Sequence, residues 1–166
     1  MDALALLNIP PRQRPSMRRQ VEEFFHAAGQ NGIDESREMD SARLVGGFSV
    51  NVYLDGSTAL HVAVRTDSWR RVLWLLEHRA DVDAPRVWCE STPLLHGMAQ
   101  PKTSFETMKI LLDAKANVRA TDNRGRTVLH KLHLSGRTQH IAKLLAAHIG
   151  LVTMCELATI ETEVSS

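Results

Sequence analysis

Ser57 to Val64 reads STALHVAV, and the chain restates that octet as STPLLHGM at Ser91 to Met98 and RTVLHKLH at Arg126 to His133. The anchoring threonines, Thr58, Thr92 and Thr127, stand 34 and then 35 residues apart. Self-similarity at such a period decides the architecture, because one unit is too small to bury its own apolar face and must stack on the next. A second pattern runs in phase with the first: VLWLL at Val72 to Leu76, MKILL at Met108 to Leu112 and IAKLL at Ile141 to Leu145. Apolar residues at i, i+3 and i+4 put each on one helical face. From the threonine to the last leucine the distance is 18, 20 and 18 residues, room for a helix, a tight turn and a second helix. The two extra residues fall in AQPKTS, Ala99 to Ser104, where Pro101 breaks a helix, so the middle unit has an enlarged inter-helix turn.

Between the leucine pairs and the threonines lie polar returns: SVNVYLDG before Thr58, EHRADVDAP after Leu76 and DAKANVRATDNRG after Leu112. Pro85, Asp122, Asn123 and Gly125 favour turns there. The wider composition agrees with helices. Aromatics are 5% of the 166 residues while leucine and alanine abound, which favours aliphatic helix packing over a sheet and makes all-α the expected class. Twenty basic against 19 acidic residues leave a net charge of +1, and so no global field for nucleic acid or an anionic membrane. Cys89 and Cys155 form no CxxC pair and fit a reducing, intracellular compartment, cytoplasmic or nuclear. The N-terminal MDALALLNIPP has an apolar patch of about six residues and an acid at Asp2, unlike an export signal. No stretch reaches the roughly 18 apolar residues that span a bilayer, so no membrane insertion is expected.

The repeats resemble the ankyrin family, whose unit is a β-turn finger followed by two antiparallel helices with a T-P-L-H-x-A signature. Thr58-Ala59-Leu60-His61-Val62-Ala63 matches with one substitution, and Thr127-Val128-Leu129-His130 matches the first half before Lys131, Leu132 and His133 depart. In the middle unit Thr92-Pro93-Leu94 matches, but Leu95 stands where the histidine belongs and His96 is displaced by one. The returns ADVDA at Ala80 to Ala84 and ANVRATDNRGRT at Ala116 to Thr127 resemble the family's A-D-V-N-A-x-D-x-x-G-x-T. The resemblance implies a solenoid of stacked helix-turn-helix units with β-turn fingers over residues 50–149. Residues 1–49 are expected to form a divergent capping repeat with an insertion, in which MRRQVEEFFHAAG, Met17 to Gly29, resembles the second helix of a degenerate first repeat. Residues 150–166 are expected to be a C-terminal cap or tail, or the cut end of a longer array.

Within the signature each threonine precedes a helix, where its hydroxyl can cap the first turn. The resemblance makes His61 and His130 structural, bonding across to the neighbouring turn. Eight histidines and two cysteines raise zinc, but His130 and His133 are the only close pair on a predicted helix and no second pair completes a tetrahedral set unless Cys89 approaches from the adjacent finger. Nor is there a GxSxG elbow, a phosphate loop or an HExxH motif. No catalytic residue, metal or cofactor is expected.

Function is then expected on the concave face, as in the resembled family, where partners touch the fingers and the end of the first helix. Mapped here, that set is Leu54, Asp55, Ser57, Arg65 and Thr66 in the first repeat and Arg86, Val87, Trp88, Cys89, Ser91, Ala99 and Gln100 in the second. Asn123, Arg124, Arg126, Leu134 and Ser135 complete it in the third. Trp88 stands out, because its finger is one residue longer than the next and has Glu90 where the family places glycine. It is either an exposed anchor flanked by Arg86, Arg124 and Arg126, or filler under the finger. Trp69 and Trp74 are expected to pack. The arginines are too few, and too mixed with Asp83, Glu90 and Asp122, for nucleic acid, so an acidic patch on a protein is the expected complement. The sequence predicts a monomeric protein-binding module acting as adaptor, scaffold or inhibitor; the alternative is a regulatory or targeting segment of a larger enzyme.

Overall fold

The computed structural model describes residues 14–29, 49–135 and 145. Along the chain these form α1 (Arg14–Gly29), a finger of β1 (Tyr53–Leu54) and β2 (Ser57–Thr58), then α2 (Ala59–Arg65), α3 (Trp69–Glu77), α4 (Pro93–Met98), α5 (Phe105–Asp113) and α6 (Val128–Ser135). The repeat period is thus realised as helical hairpins, α2–α3 and α4–α5, each introduced by a finger. Expectations for the insertion in residues 1–49, for the last helix apart from the helical, buried Leu145, and for Cys155 and the tail lie outside the described residues.

Each helix forms where its apolar spacing allows a buried stripe. Leu60, Ala63 and Val64 of α2, Val72 and Leu75 of α3, Leu94, Leu95 and Met98 of α4, and Met108 and Leu111 of α5 make one continuous core. Truncating Leu75 or Leu94 to alanine is expected to cost about 3 kcal/mol, because the gap cannot fully close. Packing follows chain order: α2 meets α1, α3 and α4, while α4 meets α5 and α6 and α3 meets α5. Gly97 permits the close approach inside this stack, since a Cβ there would stand 2.4 Å from Met108 Cε and 2.7 Å from Val64 Cγ1.

Two features depart from the sequence reading. The class is mostly helical, but the first finger carries a short antiparallel ladder that pairs Tyr53 with Thr58 and Leu54 with Ser57. And Trp69, expected to pack, is 39% exposed at the start of α3 with the Arg70 guanidinium over its ring; Trp74 is buried, 6.4 Å from Phe24 of α1.

The enlarged turn at Ala99 to Ser104 is present, and an interaction not visible in the sequence docks it. One oxygen of Asp67, Oδ1, accepts the Ser104 amide at 2.8 Å, the Ser104 hydroxyl at 2.8 Å and the Thr107 hydroxyl at 2.7 Å. Asp67 holds φ at 58°, a left-handed conformation that aspartate tolerates better than most residues.

Candidate functional site

The threonine and histidine of the signature act as a pair. Thr58 Oγ1 lies 2.9 Å from His61 Nδ1, and that same nitrogen faces the Thr58 amide at 3.4 Å, so the imidazole does the work of a glutamate in a capping box. His61 Nε2 sits 3.0 Å from the Ser91 carbonyl of the next finger. A carbonyl only accepts, so Nε2 carries the proton, Nδ1 is the acceptor, and the Thr58 hydroxyl donates to it. His61 therefore bridges the end of its own finger and the carbonyl of the next. Thr127 and His130 repeat the local pair, with Oγ1 to Nδ1 at 2.8 Å. Thr92 has Leu95 at the histidine position, and there the hydroxyl accepts the Leu95 amide as an ordinary helix cap at 3.4 Å. In the middle repeat the hydroxyl serves the helix amide alone, while Thr58 and Thr127 also engage their histidines through it.

The fingers are laced to one another. Tyr53 donates its hydroxyl to the Pro85 carbonyl at 2.9 Å, the Val87 amide donates to Gly56 at 2.9 Å, and the Asn123 amide donates to Cys89 at 3.0 Å. Along the return loops the Asp81 amide donates to Asn51 Oδ1 and the Asn117 amide to Asp83 Oδ1, both at 2.8 Å. These bonds order the row of fingertips without help from a partner.

On that row Trp88 is 72% exposed and Val87 60%, so neither fills space beneath the finger. The indole lies instead over Gly56 of the preceding finger, where a Cβ would come within 2.4 Å of Trp88 Nε1. Gly56 also has φ at 71°, so backbone and neighbour both require glycine.

The predicted partner-binding residues do not all share this surface. Asp55, Arg65 and Arg124 are exposed with Val87 and Trp88, as is Asn123, while Leu54, Ser57, Arg86, Cys89 and Gln100 are half-buried. Three are otherwise engaged. Ser91 is only 2% exposed, beneath the His61 link. The Thr66 hydroxyl bonds the Val62 carbonyl at 3.0 Å and closes the end of α2. Arg126 is drawn back onto Asp122. Ala99 is exposed where it ends α4, and Leu134 and Ser135 end α6.

Asp122 is the residue whose role the sequence did not reveal. It is 4% exposed, and its Oδ1 accepts the Arg124 and Arg126 amides, each at 3.0 Å. Its Oδ2 meets Arg126 Nη2 at 2.9 Å and the Nζ of Lys131, itself buried, at 3.0 Å. Burial alone would raise its pKa, but the hydrogen bonds from Arg126, Lys131 and the backbone outweigh that and hold the carboxyl well below the usual range.

A cleft of about 540 Å³ opens beside the first two fingers. It gathers Leu54, Asp55, Ser57, Arg65 and Arg86 of the predicted set with Phe25 and His26 of α1, and with His61, Val62 and His96. Arg86 Nε donates to Ser57 Oγ at 3.0 Å, which fixes the guanidinium between two fingers. His61 and His96 meet edge to face with centroids 5.9 Å apart, and both are lowered to about 4, by burial first and with a contribution from the charge on Arg86. Both imidazoles are neutral at pH 7.

A family model described as Ankyrin repeat matches residues 55–86, the first finger and hairpin with the start of the next finger. The B-cell lymphoma 3 protein homolog of Mus musculus is 42% identical over 83 residues, which is 50% of this chain and 18% of that relative. The B-cell lymphoma 3 protein of Homo sapiens is 42% identical over the same length, 17% of its own. The chain therefore matches less than a fifth of either curated relative.

Proposed function

We propose, from the ankyrin-repeat match at residues 55–86 and the repeats in phase with it, that this chain is an intracellular ankyrin-repeat module, cytoplasmic or nuclear, that binds a protein through its fingertips and the cleft beside them. Ankyrin repeats are in general protein-interaction modules. The proposal adds the surface, a concave face built by a short solenoid, with α1 as part of an N-terminal cap over α2. The observation that carries it is the pairing of a laced, preordered finger row with large apolar side chains left in solvent on it. Ordering a surface before binding lowers the entropic cost of association, and tryptophan and arginine are the residue types that most often dominate interface energetics. Trp88 and Arg124 are of that kind and are exposed. The module acts by occupying a partner's surface, as adaptor, scaffold or inhibitor, with no chemistry of its own.

Affinity capture from a cell extract, wild type beside a Trp88→Ala, Arg124→Ala double variant that retains its circular dichroism spectrum, tests this. A partner held by the wild type and lost by the variant supports the fingertip surface. Equal retention by both proteins would remove the fingertips from the reading.

A further inference from the structure

We infer that the cleft beside the first two fingers is a receptor for an acidic side chain on the partner, with Arg86 as its principal cation, Arg65 as the second, and Phe25, Leu54 and Val62 receiving an apolar neighbour. The inference rests on the concave-face reading above and names the chemistry of what enters it.

It begins from a charge reversal at one position of the fold. The Asp122 amide closes the third finger onto the Arg126 carbonyl at 3.1 Å, and the Arg86 amide closes the second onto the Ser91 carbonyl at 3.1 Å, so Arg86 and Asp122 are equivalent. In the third finger the acid neutralises Arg126 and the buried Lys131. The second finger has a cation there instead. Among the described residues no carboxylate is in ion-pair contact with Arg86 or Arg65. Glu22, on the cleft wall, is already paired with Arg18 at 3.0 Å, and Asp55 stands exposed on the first finger.

A half-buried guanidinium loses part of its hydration, and a cation so placed favours an anion over water. Ser57 occupies Nε, which leaves the terminal nitrogens of Arg86 as donors toward the cleft. His61 and His96, neutral beside it, add no competing positive charge. The apolar part of the lining makes a free carboxylate a poorer fit than one carried on a chain with an apolar residue next to it.

Selection of random eight-residue peptides on the immobilised full chain tests the assignment, with the Arg86→Gln variant selected in parallel. Wild type should enrich peptides with aspartate or glutamate beside an apolar residue, and the variant should lose that requirement. For a fluorescein-labelled consensus peptide, anisotropy should show affinity falling about tenfold or more with Arg86→Gln and about threefold with Arg65→Gln. Arg86→Lys should restore part of the loss, since a point charge replaces the planar fork. Changing the peptide's own acid to its amide should match Arg86→Gln, and the two changes together should cost no more than either. Urea midpoints of the variants report whether they stay folded.

Enriched peptides without an acid, equal binding by wild type and Arg86→Gln, or no enrichment would each overturn the inference, while the Trp88 capture judges the wider reading separately. The chain's own acidic run, Asp34, Glu35, Glu38 and Asp40, provides the remaining control. Converting those four to amides should leave peptide affinity unchanged. A tenfold rise would show that this run holds the cleft and would overturn the assignment to a partner.

Discussion

The second and third fingers close with the same backbone bond, amide to carbonyl at 3.1 Å, yet the side chain on that amide is Arg86 in one and Asp122 in the other. Asp122 is buried and collects two amides, a guanidinium and an ammonium. Arg86 is half-buried, ties back through one bond to Ser57 and has no acid among the described residues. The second finger also has an extra residue, and it holds Glu90 at φ 53° where the third holds Gly125 at φ 71°. One structural position therefore supports two designs: the third finger satisfies its charges within the repeat, and the second has a cation with no acid beside it among the described residues and an exposed tryptophan.

If that contrast is right, removing the acid of the third finger does the greatest damage. Asp122→Asn should cost about 3 kcal/mol in urea unfolding, because Lys131 is left buried without its counter-charge. A loss under about 0.5 kcal/mol would mean the clamp contributes no more than a surface pair.

Next comes acid. His61 and His96 are lowered from 6.5 to about 4, so the unfolded chain binds protons that the folded chain refuses. Their contribution is whole above pH 6.5 and is lost as pH falls from there toward 4. Between pH 7 and pH 5 the loss for His61 should be on the order of 2 kcal/mol, and His61→Gln should flatten the dependence in urea melts at the two pH values. A flat wild-type profile would break the assignment of a neutral, buried link between repeats.

Smaller effects sharpen the fingers themselves. Gly56→Ala should destabilise by about 1 to 2 kcal/mol, since alanine is strained at positive φ and its Cβ meets the Trp88 indole. Made in a Trp88→Ala background it should cost less, and a double-mutant cycle measures the difference. Glu90→Gly runs the other way and should stabilise by up to about 1 kcal/mol by relieving a left-handed glutamate. Arg86→Gln should change stability by less than about 0.5 kcal/mol while altering binding, the converse of Asp122→Asn.

The repeat period, the hairpins and the enlarged middle turn were legible because stacking imposes them on every unit, and a rule applied three times leaves a visible pattern. The same holds for the Thr58–His61 and Thr127–His130 pairs, which sit at fixed spacing on one turn of helix. The fate of individual polar residues was not legible. Ser91 and Arg126 precede their threonines just as Ser57 does, yet one is buried under a histidine link and one is held by Asp122. Lys131 looked only like a departure from the signature, and Trp69 like a packing residue.

By itself the sequence determined that apolar stripes recur at the repeat period and that turns separate them, since both follow from local periodicity and backbone preference. The tertiary structure decided which charges neutralise one another, that Asp67 would dock the next repeat's turn, and that Arg86 would be left facing a cleft. The Asp67 dock and the His61–Ser91 link join residues 30 or more apart in the chain, and the Asp122 clamp, though local, depends on how its finger folds back onto the next helix, so the spacing of like residues carries no record of them.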